Sequence, residues 1–352
     1  MSCSALVPRP ATANSDEGFK MHTRRWFLLA LGTAGSGALA GKFLAGARGL
    51  REFKRTAHAL GSSVSMQVFA KSSQDAEQAL DAAFGEIELV GQVMSIYRTD
   101  SQISRLNRNG VVKQAHPYLK EVLEMSLALS HTSSGAFDVT VQPLWEAFSS
   151  AKLGGKVPSA DEIKVTIEKV NWRKLLIAGD SVSLEEKGMA VTLNGIAQGY
   201  AADRALAALR KHGIRHALVD TGELGAEGRK PSNDPWKVGI QHPRKKEAFV
   251  DLAHLDGRCL STSGDYATRF TGDGAYNHIF DPATGVSPNV FASVSVLARS
   301  GMEADGLSTA VFVMGAERGF DLIRAWKGAE AMAVLKDGSV LATDGFPGSK
   351  PS

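Results

Sequence analysis

Cysteine is nearly absent from this sequence: Cys3 and Cys259 are the only two in 352 residues. That excludes a disulfide framework and any cysteine-based metal cluster. A lone Cys259 reads as a small core residue. Blocks of positive charge are missing as well. The formal net charge is only +3, and no Lys/Arg run interleaves with aromatics, so nucleic acid is not an expected partner. No stretch reaches the roughly 20 strongly apolar residues that a permanent membrane span needs. Neither an internal repeat nor a low-complexity linker is present. Strand-like and helix-like segments follow one another without regular alternation, which points to a mixed α+β fold rather than a doubly wound sheet. The length fits one large domain or two moderate ones with a real core.

What is there begins with an address. Arg24 and Arg25 precede an apolar run from Leu28 to Leu39, and small residues follow, with candidate cleavage sites at Ala38-Leu39-Ala40 and Ala45-Gly46-Ala47. This is the layout of a twin-arginine export signal over residues 1–47, cleaved near 40 or 47. It implies a periplasmic protein, with an uncleaved inner-membrane anchor as the weaker reading. No cysteine stands at the cleavage region to support a lipid anchor. Gly35-Ser36-Gly37-Ala38-Leu39-Ala40 matches a dinucleotide fingerprint in letters, but two arginines precede it where a strand is required. Met21 is the expected translation start. The remainder divides into one domain, 48–345, and a short tail, 346–352.

Within that domain, Val64 to Phe69 alternates as a strand does. Ala76, Ala79, Leu80, Ala83, Ile87, Val90 and Met94 fall at helical spacing. The polar stretch after Met94 reads as plain surface, or as a ligand loop in which Tyr97 stacks on a ring and Arg98 or Arg105 meets phosphate. A second helix spans about Tyr118 to Thr132 and stops at Ser133-Ser134-Gly135. Ser159 to Glu162 supplies a capping box for a short helix through Val170. Strands are expected at Leu175–Ile177, Val182–Leu184, Ala190–Leu193, Ile214–Asp220, Trp236–Ile240 and Val290–Leu297. A helix after Gly195 runs to His212, and its N-terminus offers free amides to an anion. Met302–Met314 and Glu317–Trp326 read as helices. A closing hairpin turns at Asp337-Gly338.

The chemistry concentrates between Leu260 and Thr309. Ser261, Thr262 and Ser263 open this stretch, His278 and Asp281 lie in its loops, and Asp305 and Thr309 close it. Asp305 and Thr309 are four apart at a helix start, so they share one face. A carboxylate and a hydroxyl so placed suit Mg²⁺, which takes oxygen ligands and shares its shell with substrate phosphates. The same spacing also suits an acid on the helix dipole and a threonine bonded to its own backbone.

Seven segments appear together and in order: MSIYRTDSQISRLN, GAFDVTVQPLW, LNGIAQGYAADRAL, ALVDTGEL, STSGDY, NHIFDPATG and MEADGLSTAVFVMG. In these the chain, from about Leu60 to Leu341, resembles the FAD:protein FMN transferases of the ApbE family. The resemblance implies an α+β fold with FAD in a central cleft. It implies Mg²⁺-dependent transfer of FMN from FAD to a Thr or Ser hydroxyl of an acceptor flavoprotein, exported or membrane-attached, with release of AMP. It further implies that Leu60, Tyr97, Ala136, Phe137, Asp138, Thr192, Gln198 and Phe280 line the FAD site. Gly195 (through its carbonyl), Asp305, Ser308 and Thr309 fall at the metal positions, and His278 at that of the base. Thr192 and Ser308 stand where members of the family carry acids, Gln198 where they carry Lys or Glu, and Leu60-Gly61-Ser62 where they carry Met-Gly-Thr. An FAD pyrophosphatase and a non-catalytic FAD-binding assembly factor for a respiratory flavoprotein are the alternative readings.

Overall fold

The computed structural model describes residues 49–348. The export-signal segment, the fingerprint-like glycines, Cys3 and the Met21 start lie outside the described residues. In chain order the elements are β1 (Arg51–Ala59), β2 (Ser62–Ala70), α1 (Ser73–Met94), α2 (Gln102–Asn109), β3 (Val111–Val112), α3 (Pro117–Thr132), α4 (Gln142–Leu153), α5 (Ala160–Ile167), β4 (Leu175–Ala178), β5 (Ser181–Leu184) and α6 (Ala197–Lys211). There follow β6 (Ala217–Asp220), β7 (Leu224–Glu227), β8 (Lys237–Gln241), β9 (Phe249–His254), β10 (Cys259–Gly264), β11 (Phe291–Ala298), α7 (Gly301–Met314), α8 (Ala316–Ala325), β12 (Glu330–Leu335) and β13 (Val340–Ala342). This is a mixed α+β fold, as the irregular alternation predicts.

One eight-stranded sheet in the order β1-β2-β6-β7-β10-β11-β12-β13 forms the frame. Its neighbours all pair antiparallel. Both faces are covered. Val64, Met66, Val68, Val219, Val294 and Val296 join the main core, shared with α1, α6 and α7. Leu218, Leu224, Leu260, Leu297 and Met332 point the other way, against Trp236, Val238 and Ile240 of the β8–β9 hairpin. Side-chain alternation with a period of two sends neighbours to opposite faces. A strand buried on both faces therefore loses its polar half, and every residue of β11 is buried.

The helix ends follow local chemistry. Ser72 caps α1 by accepting from the amide of Asp75. Ser159 and Glu162 form the reciprocal capping box of α5. His212 and Gly213 close α6, with Gly213 at φ +79°.

Several elements differ from the sequence reading. Ala190–Leu193 is not a strand: Ala190 makes an isolated bridge to Val141, and Thr192 donates its amide to the Val139 carbonyl at 2.8 Å. The segment is thereby tied to the loop after α3 and does not join a sheet. The polar stretch after Met94 contains helix α2, capped by Ser101 and closed by Gly110 in the left-handed region. Strands β1, β7, β9 and β10 and helix α4 were also not legible. In β10, Ser261, Thr262 and Ser263 have little apolar signal, yet all six residues of the strand are buried. Cys259 is buried in the core, and burial pushes its thiol up. Among the described residues, no helix is long and apolar enough to cross a membrane.

Two buried acids give the fold an unusual pH profile. Burial raises Asp203 to about 6, against the amides of Met302 and Gly301, which favour its charge. Burial likewise raises Asp220 to about 6, opposed by the Gly222 amide. Between roughly pH 6 and pH 4 the folded chain holds protons that the unfolded chain releases, so acidification through this window stabilises it. We expect the unfolding free energy to rise from pH 7 to pH 5. Asp220→Asn keeps the acceptor for Gly222, and it should flatten this slope and gain on the order of 1–3 kcal/mol at pH 7. Urea titrations of both proteins at the two pH values check it; identical slopes would contradict it.

Candidate active site

The site is built where α6 crosses α7. The two helices meet backbone to backbone: a Cβ on Gly199 would lie 2.0 Å from the Gly301 carbonyl oxygen, and one on Gly301 would lie 2.2 Å from that of Gly199. Only glycine permits this approach. Asp203, one turn along α6, accepts the first amides of α7, Gly301 at 2.6 Å and Met302 at 2.9 Å. Ser300 accepts from Glu303 and completes the cap. The start of α7 is thus fixed against α6 by a carboxylate, where the helix dipole favours one.

Asp305 follows within the next turn of α7. It is buried, and its Oδ2 accepts the Gly199 amide at 3.0 Å. Ser261 on β10 reaches its Oδ1 at 3.5 Å. Thr309, one turn further, lies against Gly195, whose Cβ position would be 3.1 Å from Thr309 Oγ1. Ser263 Oγ stands 3.1 Å from that hydroxyl and 2.8 Å from Ser308 Oγ. The small residues of β10 therefore form a hydroxyl floor beneath α7. Ser308 is fully buried, is bonded to the Asp305 carbonyl at 2.9 Å, and does not reach the cavity wall. All the other expected site residues do.

The cavity measures about 270 Å³. At one side is the β1–β2 turn. Leu60 and Gly61 have φ of +52° and +73°, a two-residue turn of the type that suits a twisted hairpin. Leu60 is held there despite its side chain, packed 3.3 Å from the Cβ position of Gly91. Ser62, next in line, has a buried hydroxyl with no protein partner. Tyr97 projects from the end of α1 with 55% of its surface exposed, leaving a ring face open at the mouth. Burial against the wall pushes its phenol up, opposed by a hydrogen bond with Asn194. Arg98 pairs with Glu88 at 2.7 Å instead of turning inward, and Arg105 does not line the cavity.

Opposite lie Ala136, Phe137 and Asp138. The carboxylate of Asp138 is occupied: Oδ1 accepts the amide and hydroxyl of Thr140, each at 2.7 Å, and Oδ2 accepts the Trp172 amide at 3.1 Å. Burial nonetheless raises its pKa. Asp138 thus shapes the wall through the loop it ties together. Phe280 is packed in an aromatic group with Phe148 at 5.1 Å and Phe270 at 5.9 Å between centroids. Thr192 Oγ1 accepts the Asn194 amide at 3.3 Å. Gln198 and Thr221 hold each other through Nε2 to carbonyl at 3.2 Å and Oγ1 to carbonyl at 2.9 Å. His278 reaches the cavity from the loop after β10, with its amide on the Thr268 carbonyl at 3.1 Å.

Sequence reasoning missed Glu223. It is buried, lines the cavity, and accepts the Thr262 amide at 3.2 Å. Its signal was an acid directly after Gly222, between two apolar strands. With it the wall carries three carboxyl groups, Asp138, Glu223 and Asp305, and one imidazole, but among the described residues no Lys or Arg. Among the described residues, no three of His, Cys, Asp or Glu are grouped to hold a metal. The Asp305 carboxylate and the Thr309 hydroxyl are hard oxygens at the wall, the donor type that suits Mg²⁺, and the Gly195 carbonyl is the third donor that the family resemblance implies.

A mixed α+β frame around a cleft with apolar walls, carboxyl groups and hydroxyls defines the class, and known proteins share it. The ApbE family model matches residues 60–333, and the chain belongs to the ApbE family. It is 33% identical over 272 residues to the FAD:protein FMN transferase of Vibrio cholerae, covering 74% of this chain and 78% of that one. It is 30% identical over 324 residues to the FAD:protein FMN transferase of Treponema pallidum, covering 84% and 88%. The apo crystal structure of the Pseudomonas stutzeri flavinyl transferase ApbE superposes with a TM-score of 0.75 at 32% identity, covering 86% of this chain and 98% of that one.

The Gly199–Gly301 contact predicts a sharp response to one methyl group. Gly199→Ala must separate the helices, since its Cβ would also lie 2.7 Å from Asp305 Cβ. We expect a loss of about 2–3 kcal/mol or more in stability. FAD affinity should fall by a larger factor than in Gly85→Ala, where a Cβ meets nothing within 4 Å. Equal behaviour of the two variants would show that the crossing does not set the site.

Proposed function

We propose that this chain is an FAD:protein FMN transferase that moves FMN from FAD to a Thr or Ser hydroxyl of an exported or membrane-attached acceptor flavoprotein, releasing AMP. The observation that carries this reading is the cavity wall: Asp305 and Thr309 one turn apart, His278 on the same cleft, and, among the described residues, no Lys or Arg. The names of the relatives support the flavin chemistry. Export rests on the twin-arginine motif, a route that carries folded, cofactor-loaded proteins, and puts the working protein in the periplasm.

In this reading Tyr97 offers its open ring face to a flavin or adenine ring, and Phe137 and Phe280 form apolar walls. The Asp305 carboxylate, Thr309 hydroxyl and Gly195 carbonyl hold Mg²⁺. When bound, the ion neutralises the diphosphate and stabilises charge on the departing phosphate. Ser308 and Ser263 keep the Thr309 hydroxyl oriented, and the Gly199 amide fixes the Asp305 carboxylate. His278 takes the proton of the acceptor hydroxyl as its oxygen attacks the FMN-side phosphorus. The bridging P–O bond breaks, and AMP departs with the bridging oxygen and its electron pair. Water in place of that hydroxyl would give FMN and AMP, the pyrophosphatase alternative.

With one carboxylate among its proposed ligands, the site should bind Mg²⁺ weakly alone and well with FAD. The coupling is reciprocal, so chelation should weaken FAD binding by the same factor that FAD strengthens Mg²⁺ binding. Flavin-fluorescence titrations with and without chelator measure it; FAD affinity indifferent to Mg²⁺ would remove the metal from the site. Asp305→Asn should abolish that dependence.

Incubating the mature protein with FAD, Mg²⁺ and a candidate acceptor tests the reaction itself. Covalent flavin on the acceptor supports transfer, free FMN and AMP indicate hydrolysis, and unchanged FAD indicates binding only. His278→Ala should slow transfer by about 10²-fold or more while FAD affinity and melting temperature stay near wild type. A large fall in melting temperature would make this histidine structural.

A further inference from the structure

Outside the cavity, one carboxylate is surrounded by cations. Asp265 follows β10, and its side chain is 2% exposed. Arg244, between β8 and β9, grips both its oxygens with a two-pronged fork, NH1 to Oδ1 at 2.5 Å and NH2 to Oδ2 at 2.6 Å. Lys336, at the tip of the β12–β13 hairpin, bonds Oδ2 as well. Arg269 stands 3.9 Å from Oδ1 and sends its Nε to the Asp265 carbonyl at 3.4 Å. A buried carboxylate with two or three cations has far more partners than charge balance requires. Their attraction, with the hydrogen bonds, holds Asp265 well inside its charged range despite burial.

What this cluster fixes is the start of one loop. Asp265 also donates its amide to the Ala292 carbonyl of β11 at 3.1 Å. Three residues on, the Thr268 carbonyl faces His278: it accepts the His278 amide at 3.1 Å and lies 3.4 Å from its Nδ1. The Arg269–Asn277 bridge and the bond from the Phe270 amide to the Tyr276 carbonyl close the loop into a narrow ribbon. A carbonyl oxygen can only accept. An Nδ1–H would meet that oxygen where an Nδ1 lone pair would oppose it, and in the neutral Nδ1–H form the imidazole lone pair sits on Nε2.

We propose that Arg244 and Lys336, acting through Asp265, are positioning residues: they hold the Thr268 carbonyl where it selects the Nδ1–H tautomer of His278 and leaves Nε2 as the basic atom. This deepens the reading of His278 as the base and rests on it for its catalytic meaning. The two anchors come from separate hairpins, β8–β9 and β12–β13, and meet at the start of the loop that carries Thr268 and His278 to the cavity wall.

The test reads the tautomer without turnover, so it can fail independently of the base assignment. Protein labelled with ¹⁵N-histidine is examined by long-range ¹H–¹⁵N correlation at about pH 8.5, where an ordinary imidazole of pKa near 6.5 is neutral. His278→Ala identifies the signals. In wild type, His278 should show a protonated-type Nδ1 and an imine-type Nε2. Arg244→Gln keeps Asp265 and Lys336 in place, so the chain should still fold. It should shift both nitrogens toward averaged values, while Arg244→Lys, which can still meet one carboxylate oxygen, should recover most of the wild-type pattern. Melting temperatures on the same samples separate global loss from local release. An Nε2–H pattern in wild type, or an unchanged pattern in folded Arg244→Gln, would overturn the proposal. If the tautomer behaves as expected but His278→Ala transfers flavin at the wild-type rate, the base reading fails while the positioning of the ring stands.

Discussion

Everything at the cleft depends on two glycines being small enough to let α6 touch α7. A Cβ at Gly199 or Gly301 would sit 2.0 or 2.2 Å from the facing carbonyl oxygen, so the helices would have to separate. That separation would stretch the bonds from the first α7 amides to Asp203 and from the Gly199 amide to Asp305. The Asp305 carboxylate is therefore oriented by a backbone amide at Oδ2, with the Ser261 hydroxyl at Oδ1. Such support is stiff, because backbone amides have few alternative positions. It also places an acid near a helix start, where the exposed amides favour negative charge.

The electrostatics of the cleft follow from that choice. Asp305, Glu223 and Asp138 bring carboxyl groups to a pocket that, among the described residues, is lined by no Lys or Arg. All three are engaged with the protein: Asp138 with Thr140 and Trp172, Glu223 with the Thr262 amide, and Asp305 with the Gly199 amide. The hydroxyls of Ser261, Ser263, Ser308 and Thr309 fill the space beneath α7 with neutral oxygens that can donate or accept. Under the proposed function, a diphosphate would enter such a wall together with a divalent cation. The positive side chains nearby are committed elsewhere, to Asp265 beneath the His278 loop and to Glu88 beside Tyr97.

Much of the frame was legible in the sequence. The long helix from Ser73 to Met94, the helix after Gly195 and the two C-terminal helices all announce themselves by periodicity and by their ends. The strands of β10 and β7 did not. Their side chains are small or hydroxylated, and their burial comes from sheet and helix neighbours hundreds of atoms away in the chain. Ala190–Leu193 misled for the opposite reason: its apolar residues are buried in a connection, tied to Val139 and Asn107, with no partner strand.

By itself the sequence determined the ordered set of motifs, the class of fold and, through the family those motifs resemble, most residues that reach the cleft. The spacing of Asp305 and Thr309 already implied a shared helix face. Only the tertiary structure decided which of the expected residues face the cavity and which stand behind it. Ser308 is adjacent to Thr309, yet the helix turns it into the hydroxyl floor, while Glu223, inconspicuous in its turn, comes to the wall. Direction is a property of three-dimensional packing: a hundred degrees of helix rotation separates neighbours in sequence, and residues from β7, β10, α6 and α7 become neighbours only when the sheet forms. The distant grip of Arg244 and Lys336 on the loop beside His278 was beyond sequence reasoning for the same reason, since three separate hairpins must fold before those charges meet.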